Sequence, residues 1–309
     1  MPQVSVIMPL YNKAQSVISA LNSIKAQAFV DYEVIVINDG STDGSEKIVL
    51  DYIENNKQLK DWKLFSQENQ GVSTARNNGV KLAKGMYIAF LDADDVWDET
   101  YLQHQVAFAL QYPEAIMWGC AWENNSYNNA SKKNRIDFNP RLVGYIHDYW
   151  QIPKHANLFW LGSTILLKTA FLEIGGFDER IKMGEDIDLA YRMILHGIVA
   201  FDSEYCGAIY RLDTENRAMN RPCPLKDTLP YYIEKYQQAR TTNPYFRQEI
   251  DAKVLSILTP YIIKREETEK VKEIVALLDM DNQKWMNRVL VTYPRLYVVL
   301  CRLYSFLHR

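Results

Sequence analysis

Short β-branched runs at Val4 to Met8, Glu33 to Ile37, Trp62 to Ser66, Met86 to Leu91 and Ala115 to Cys120 alternate with segments of helical period at Ala14 to Gln27, Asp43 to Asn55, Gly71 to Ala83 and Thr100 to Gln111. Strands and helices that alternate in this way build a mostly parallel sheet flanked by helices, so the chain is expected to be α/β over its first 120 residues. Asp43 followed three residues later by Glu46 resembles a capping box at the second helix. From about Glu123 to Arg141 the chain turns polar and Asn-rich, which reads as an excursion between elements. Patterning returns with a strand from Thr164 to Leu167, a turn at Gly175-Gly176, a helix from about Glu185 to His196 and a strand from Ile198 to Phe201. Beyond the polar stretch Asp213 to Arg221, helical spacing and aromatics predict a C-terminal helical appendage.

Composition removes several classes. With 309 residues, 48% of them hydrophobic, the chain can bury a sizeable core. A net charge of -3 gives no overall attraction for nucleic acid, and none is expected as a partner. Cys120, Cys206, Cys223 and Cys301 form no C-x-x-C pair, which fits reduced thiols better than a disulfide framework or a zinc site. Met1 leads straight into an apolar strand without a basic n-region, so export is not expected. Arg295 and Arg302 interrupt the apolar tail, which disfavours a spanning helix. A cytoplasmic protein, free or peripheral at a membrane, is the expectation.

In open sheets of this kind ligands collect at the carboxyl ends of the strands. The first strand ends in Pro9-Leu10-Tyr11-Asn12, the second in Asn38-Asp39-Gly40-Ser41, and the fourth in Asp92-Ala93-Asp94-Asp95. Neither G-x-G-x-x-G nor a G-K-[ST] loop is present, so dinucleotide and P-loop sites are set aside. Three acids in four positions repel one another unless a cation sits among them. Oxygen donors with coordination places to spare suit Mg2+ or Mn2+ shared with a diphosphate. The plainer alternative is a solvated acidic turn that caps the following helix.

Val4 through Asn12, Asn38-Asp39-Gly40-Ser41-Thr42-Asp43, and Asn69-Gln70-Gly71 through Ala75-Arg76-Asn77-Asn78-Gly79 together resemble family 2 glycosyltransferases. Ala89 through Asp95 looks like that family's D-x-D segment, and Gly175-Gly176-Phe177-Asp178-Glu179 with Gly184-Glu185-Asp186-Ile187-Asp188-Leu189 looks like its acceptor-side segment. The resemblance covers about residues 3 to 212. It implies a GT-A type catalytic domain over residues 1–215, with a nucleotide-sugar half to about 120 and an acceptor half from 121, followed by a helical region over 216–309.

The roles below are what that resemblance implies. Pro9 and Tyr11 border the nucleobase, and Asp39 accepts from the base edge, favouring uracil and hence a UDP-sugar donor. Asn69 and Arg76 lie near the nucleotide, Asp92 holds the ribose, Asp94 coordinates Mn2+ or Mg2+, and Asp95 helps. Asp186 is the base that takes the acceptor hydroxyl proton in a single inverting displacement. Glu185 and Trp160 are placed on the acceptor side. Where many relatives carry a histidine after a Tyr-Arg pair, Asp213 follows Tyr210-Arg211-Leu212; it is either a metal ligand or the start of a loop. Structural alternatives stay open: Tyr11 as a core aromatic, Asp39 as a turn former, Arg76 as an exposed helix residue, Asp186 as a first-turn acid favoured by the helix dipole. Asp188 and Arg192, four apart, are expected to form an intrahelical pair. No Q-x-x-R-W segment is present, so transfer of a single sugar to a glycan or lipid-linked acceptor is expected.

From Lys284 to Arg309 there are five positive charges and no acid, with Arg295, Arg302 and Arg309 recurring every seven residues. Pro294 suits the first turn of a helix whose Leu296, Leu300, Leu303 and Leu307 oppose the arginines. Such a helix either lies on an anionic membrane surface or packs on protein, the catalytic domain or a second subunit of a homo-oligomer. Two other functions compete: a silent nucleotide- or glycan-binding scaffold, which gains nothing from Asp186, and a glycoside hydrolase, which needs no nucleotide site.

Overall fold

The structure, a computed structural model, describes residues 1–125, 134–135, 141–152, 158–212, 214–215 and 223–307. Among the described residues ten strands form one sheet: β1 (Val4–Leu10), β2 (Tyr32–Asp39), β3 (Trp62–Gln67), β4 (Tyr87–Phe90), β5 (Val96–Trp97), β6 (Met117–Asn125), β7 (Asn134–Arg135), β8 (Val143–Ile146), β9 (Thr164–Leu167) and β10 (Val199–Arg211). Their order is β3-β2-β1-β4-β9-β6-β10-β5, with β7 on β6 and β8 on β10. The longer pairings, β1 with β2 and β4, β2 with β3, and β6 with β10, are parallel. Antiparallel β9 is inserted between β4 and β6. This is the expected α/β arrangement, a mixed and mostly parallel sheet flanked by α1 (Val17–Lys25), α2 (Ser45–Asn55), α3 (Val72–Leu82), α4 (Tyr101–Gln111), α5 (Lys168–Glu173) and α6 (Glu185–His196).

Every residue of β1 is buried, as a strand covered on both faces requires. Helix α3 comes so close to it that a Cβ on Gly79 would lie 2.4 Å from Ile7 Cγ2, so only glycine permits that approach. The chain steps outward from β1 to β2 and β3, then returns to the other side of β1 with β4. At such a reversal neighbouring loops diverge and leave a crevice at the strand carboxyl ends. Tyr11 to Lys13 and Asp92 to Asp95 are thereby brought together.

Four local expectations need correction. The capping box does not form: Gly44 takes the cap position with φ of 87°, so α2 begins one residue later than the box requires. Asp43 instead accepts from Ser45 N and Ala14 N, and Glu46 accepts from the Ser66 hydroxyl. Helix α1 begins only after Ser16, leaving Ala14 outside it. Strand β10 runs on to Arg211 rather than stopping at Phe201, because a register shift after Asp202 lets it keep pairing with β6. The polar excursion begins later than expected, since β6 continues to Asn125 and a short β7 pairs back onto it.

The chain divides into two compact units. Met1–Tyr149, Pro153–Glu179 and Glu185–Arg221 form the sheet unit. Trp150–Ile152, Arg180–Gly184 and Pro222–Arg309 form the second, which holds α7 (Gln237–Thr242), α8 (Pro244–Lys264), α9 (Thr268–Ala276), α10 (Trp285–Thr292) and α11 (Pro294–Leu307). Asn243 caps α8 by accepting from Phe246 N at 2.9 Å, with Pro244 in the first turn. Phe246 is buried against Trp150 and Tyr236. The fully buried Asp251 takes two bonds from the Arg240 guanidinium, at 2.9 and 3.1 Å, and one from Asp279 N. Among the described residues no helix is long and apolar enough to cross a membrane.

Candidate active site

The site grows from the crevice between β1 and β4. Asp94 is nearly buried, and its Oδ2 accepts from Lys13 Nζ at 2.5 Å and from the Thr214 hydroxyl at 2.8 Å. Asp95 is buried; its Oδ1 accepts from Arg211 N, while Oδ2 has no partner among the described residues. Burial, together with the charges of Asp94 and Asp92, pushes its carboxyl well above the usual range.

Asp92 faces the other way. Its Oδ1 accepts from Arg76 Nη2 at 2.7 Å, and the same guanidinium gives Nη1 to Glu185 Oε1 at 3.2 Å. Arg76 lies 5.2 Å above the Phe177 ring and is buried, which removes the exposed-helix alternative. Burial opposes its charge, but Asp92 and Glu185 more than offset this and hold the guanidinium protonated. Arg76 therefore bridges two carboxylates. Glu185 and Asp186 open α6, where the dipole favours acids. Burial and the adjacent Asp186 push the Glu185 carboxyl up to about 7 against the pull of Arg76. Asp186 Oδ1 accepts from Ile187 N at 2.8 Å. Asp188 and Arg192 form the expected intrahelical pair at 2.7 Å.

At the end of β2, Asp39 organises a loop. Its carboxylate accepts from Gln67 Nε2, Gln70 N and Gly71 N at 2.8, 2.8 and 2.9 Å, and its carbonyl accepts from Asn69 Nδ2 at 3.0 Å. Gly40, at φ of 72°, makes the turn, so the turn-forming role is real, and Asn69 serves that turn directly. Pro9 is buried in β1, while Tyr11 is half-exposed just past its end. Trp160 packs on Trp122 and Tyr210 with centroids 5.1 and 5.3 Å away. Asp213 lies outside the described residues.

The donor set fits a hard divalent cation. Asp94, Asp95 and the Thr214 hydroxyl offer oxygen donors, with the Lys13 ammonium already paired to Asp94, and Asp95 Oδ2 is a buried acceptor without a partner among the described residues. Among the described residues no group of three or more His, Cys, Asp or Glu is arranged to hold a metal.

Lys13, Thr214 and Glu215 escaped the sequence reading. Lys13 Nζ also donates to the Glu215 carbonyl at 2.7 Å, and Glu215 Oε1 accepts from Gln15 N, Ser16 N and the Ser16 hydroxyl, all at 3.1 Å. The visible signal for Lys13 is its place beside Tyr11-Asn12 at a strand end. Thr214 and Glu215 have no local signal, because their partners lie 120 or more residues away.

A sheet of this order with acids gathered at its central crevice is of the GT-A kind. The model of glycosyl transferase family 2 matches residues 5–171, and the chain belongs to that family. It is 30% identical over 251 residues to an uncharacterized glycosyltransferase of Rickettsia prowazekii, covering 76% of this chain and 72% of that protein. It is 28% identical over 253 residues to the uncharacterized glycosyltransferase EpsJ of Bacillus subtilis, covering 77% and 69%. Validoxylamine A glucosyltransferase of Streptomyces hygroscopicus is 31% identical over 226 residues, 64% of this chain and 52% of that protein. Among solved structures, S. aureus TarS 1-349 in complex with UDP-GlcNAc shares the fold, with a TM-score of 0.60 at 19% identity over 90% of this chain and 71% of that one.

Proposed function

We propose that the protein is an inverting, metal-dependent transferase that moves one sugar from a UDP-sugar to a hydroxyl of a glycan or lipid-linked acceptor. One observation carries the reading: the Arg76 guanidinium joins Asp92, at the donor crevice, to Glu185, the neighbour of Asp186 at the start of α6. In this reading a donor-side and an acceptor-side carboxylate share one guanidinium, and alignment of reactants supplies a large part of such a rate. UDP as the nucleotide is supported by the TarS structure that holds UDP-GlcNAc and by Asp39 at the end of β2.

In this reading Asp39, Asn69, Pro9 and Tyr11 form the nucleoside end, Asp92 takes the ribose, and Trp160 and Glu185 flank the acceptor. Asp94, with Asp95 as a helper, would hold Mn2+ or Mg2+, which would stabilise charge on the diphosphate. The acceptor oxygen bonds to the anomeric carbon as that carbon's bond to the diphosphate oxygen breaks. The hydroxyl proton passes to Asp186, and the bonding electrons leave with the diphosphate. Displacement from the face opposite the leaving group inverts the anomeric centre.

A thermal-shift screen of UDP, GDP, CDP and dTDP with and without Mn2+ tests the donor reading, since a ligand of the folded state alone must stabilise it. A UDP-selective shift strengthened by Mn2+ is expected; no shift with any of the four removes it. For α11 the membrane-surface reading is preferred. Trp285, Tyr293 and Leu296 are exposed along this basic, acid-free stretch, and flotation with anionic but not neutral vesicles is the expected outcome.

A further inference from the structure

Lys13 is an ammonium in a place where hydration is scarce. Its side chain keeps 13% of its exposure, and the Asp94 carboxylate it pairs with keeps 16%. A charge so shielded needs an anionic partner, because the water it has lost no longer stabilises it. Here the partner is the same Asp94 oxygen that takes the Thr214 hydroxyl, and the Glu215 carbonyl holds a second ammonium proton. Glu215 is itself pinned to Gln15 and Ser16 just before α1, so Lys13 is gripped between the strand-end loop and the segment that follows β10.

The ammonium pairs with Asp94, the carboxylate that would hold a divalent cation. Two cations cannot share one carboxylate oxygen at such distances without strong repulsion. Lys13 would therefore give up Asp94 to a bound metal, and a diphosphate bound with that metal would offer its ammonium new anionic oxygens. A lysine suits this exchange: it is a compact point charge on a flexible four-carbon stem, able to swing from carboxylate to phosphate without leaving the crevice. We propose that Lys13 is a donor-binding residue that serves as the counter-ion of Asp94 in the free protein and as a ligand of the donor diphosphate in the complex. The proposal rests on the nucleotide-diphosphate reading above and adds to it a protein-borne cation at the leaving group.

Titration calorimetry on the full chain tests this with UDP in the presence of saturating Mn2+, with uridine, and with Mn2+ alone. In Lys13→Met, UDP binding is expected to weaken about tenfold to a hundredfold, the range for losing one charge-assisted hydrogen bond. Uridine affinity is expected to stay unchanged, and Mn2+ alone to bind more tightly because its competitor is gone. Lys13→Arg, which keeps the charge, should retain most of the UDP affinity. Equal weakening of UDP and uridine, or weaker binding of Mn2+, would mean a structural role and overturn the proposal. UDP affinity unchanged in Lys13→Met would overturn it while leaving the donor reading intact. A wild-type protein that binds no UDP would overturn the donor reading and Lys13 with it.

Discussion

Replacing Glu185 by Gln should change how stability depends on pH, and the sign is opposite to that of an ordinary salt-bridged acid. In the folded chain the Glu185 carboxyl titrates at about 7 rather than 4.5. Burial and Asp186 disfavour its charge, and Arg76 offsets them only in part. Between those two values the folded state holds a proton that the unfolded state has released, so stability falls as pH rises through the window. Above pH 7 the whole cost is present, about 3 kcal/mol at about 1.4 kcal/mol per pH unit. Gln keeps the shape and an acceptor for Arg76 Nη1 but does not titrate. The stability of Glu185→Gln relative to wild type should therefore rise by roughly 2–3 kcal/mol between pH 5 and pH 8. Urea unfolding of both proteins at the two pH values measures it, since subtraction cancels every group they share. A difference that stays constant with pH, or shrinks toward pH 8, would refute the argument that Glu185 is held against its charge.

Asp186→Asn is expected to lower sugar transfer about 10²- to 10⁴-fold, the usual share of a positioned base, while UDP binding by calorimetry stays as in wild type; equal transfer rates would remove the base assignment. Asp251→Ala leaves the Arg240 guanidinium buried without its carboxylate, at a cost of about 3–5 kcal/mol, seen as an earlier loss of helical circular dichroism in urea. Gly79→Ala drives a methyl into Ile7 Cγ2 and should cost about 1–3 kcal/mol in the unfolding midpoint. In the background of Ile7→Ala the same change should cost much less, and additive costs would show that the α3–β1 contact is not what forbids the side chain.

Much of the frame could be read along the chain because burial leaves a local signature. The run Val4 to Met8 falls inside a strand whose every residue is buried, and the helix expected over Glu185 to His196 has those ends. The acids after β4 could be read because a cluster of like charges needs an explanation wherever it falls. Signals went wrong where one residue shifts an element: Gly44 moved the start of α2 and released Asp43 and Glu46 to other partners. The length of β10 was hidden because a register shift breaks the alternation that marks a strand.

The sequence by itself determined that the chain would stack parallel strands, carry its acids at their carboxyl ends and belong with enzymes that bear the same motifs in the same order. Periodicity and strand-end chemistry are local, and neighbouring residues are enough to express them. Tertiary structure alone decided which charges meet. Arg76 finds Asp92 and Glu185, 16 and 109 residues away, and Lys13 finds Asp94 across 81, because the sheet places β4 beside β1 and the chain order does not. A charged side chain carries no mark of its partner, so its role is set by whatever the fold places within its reach.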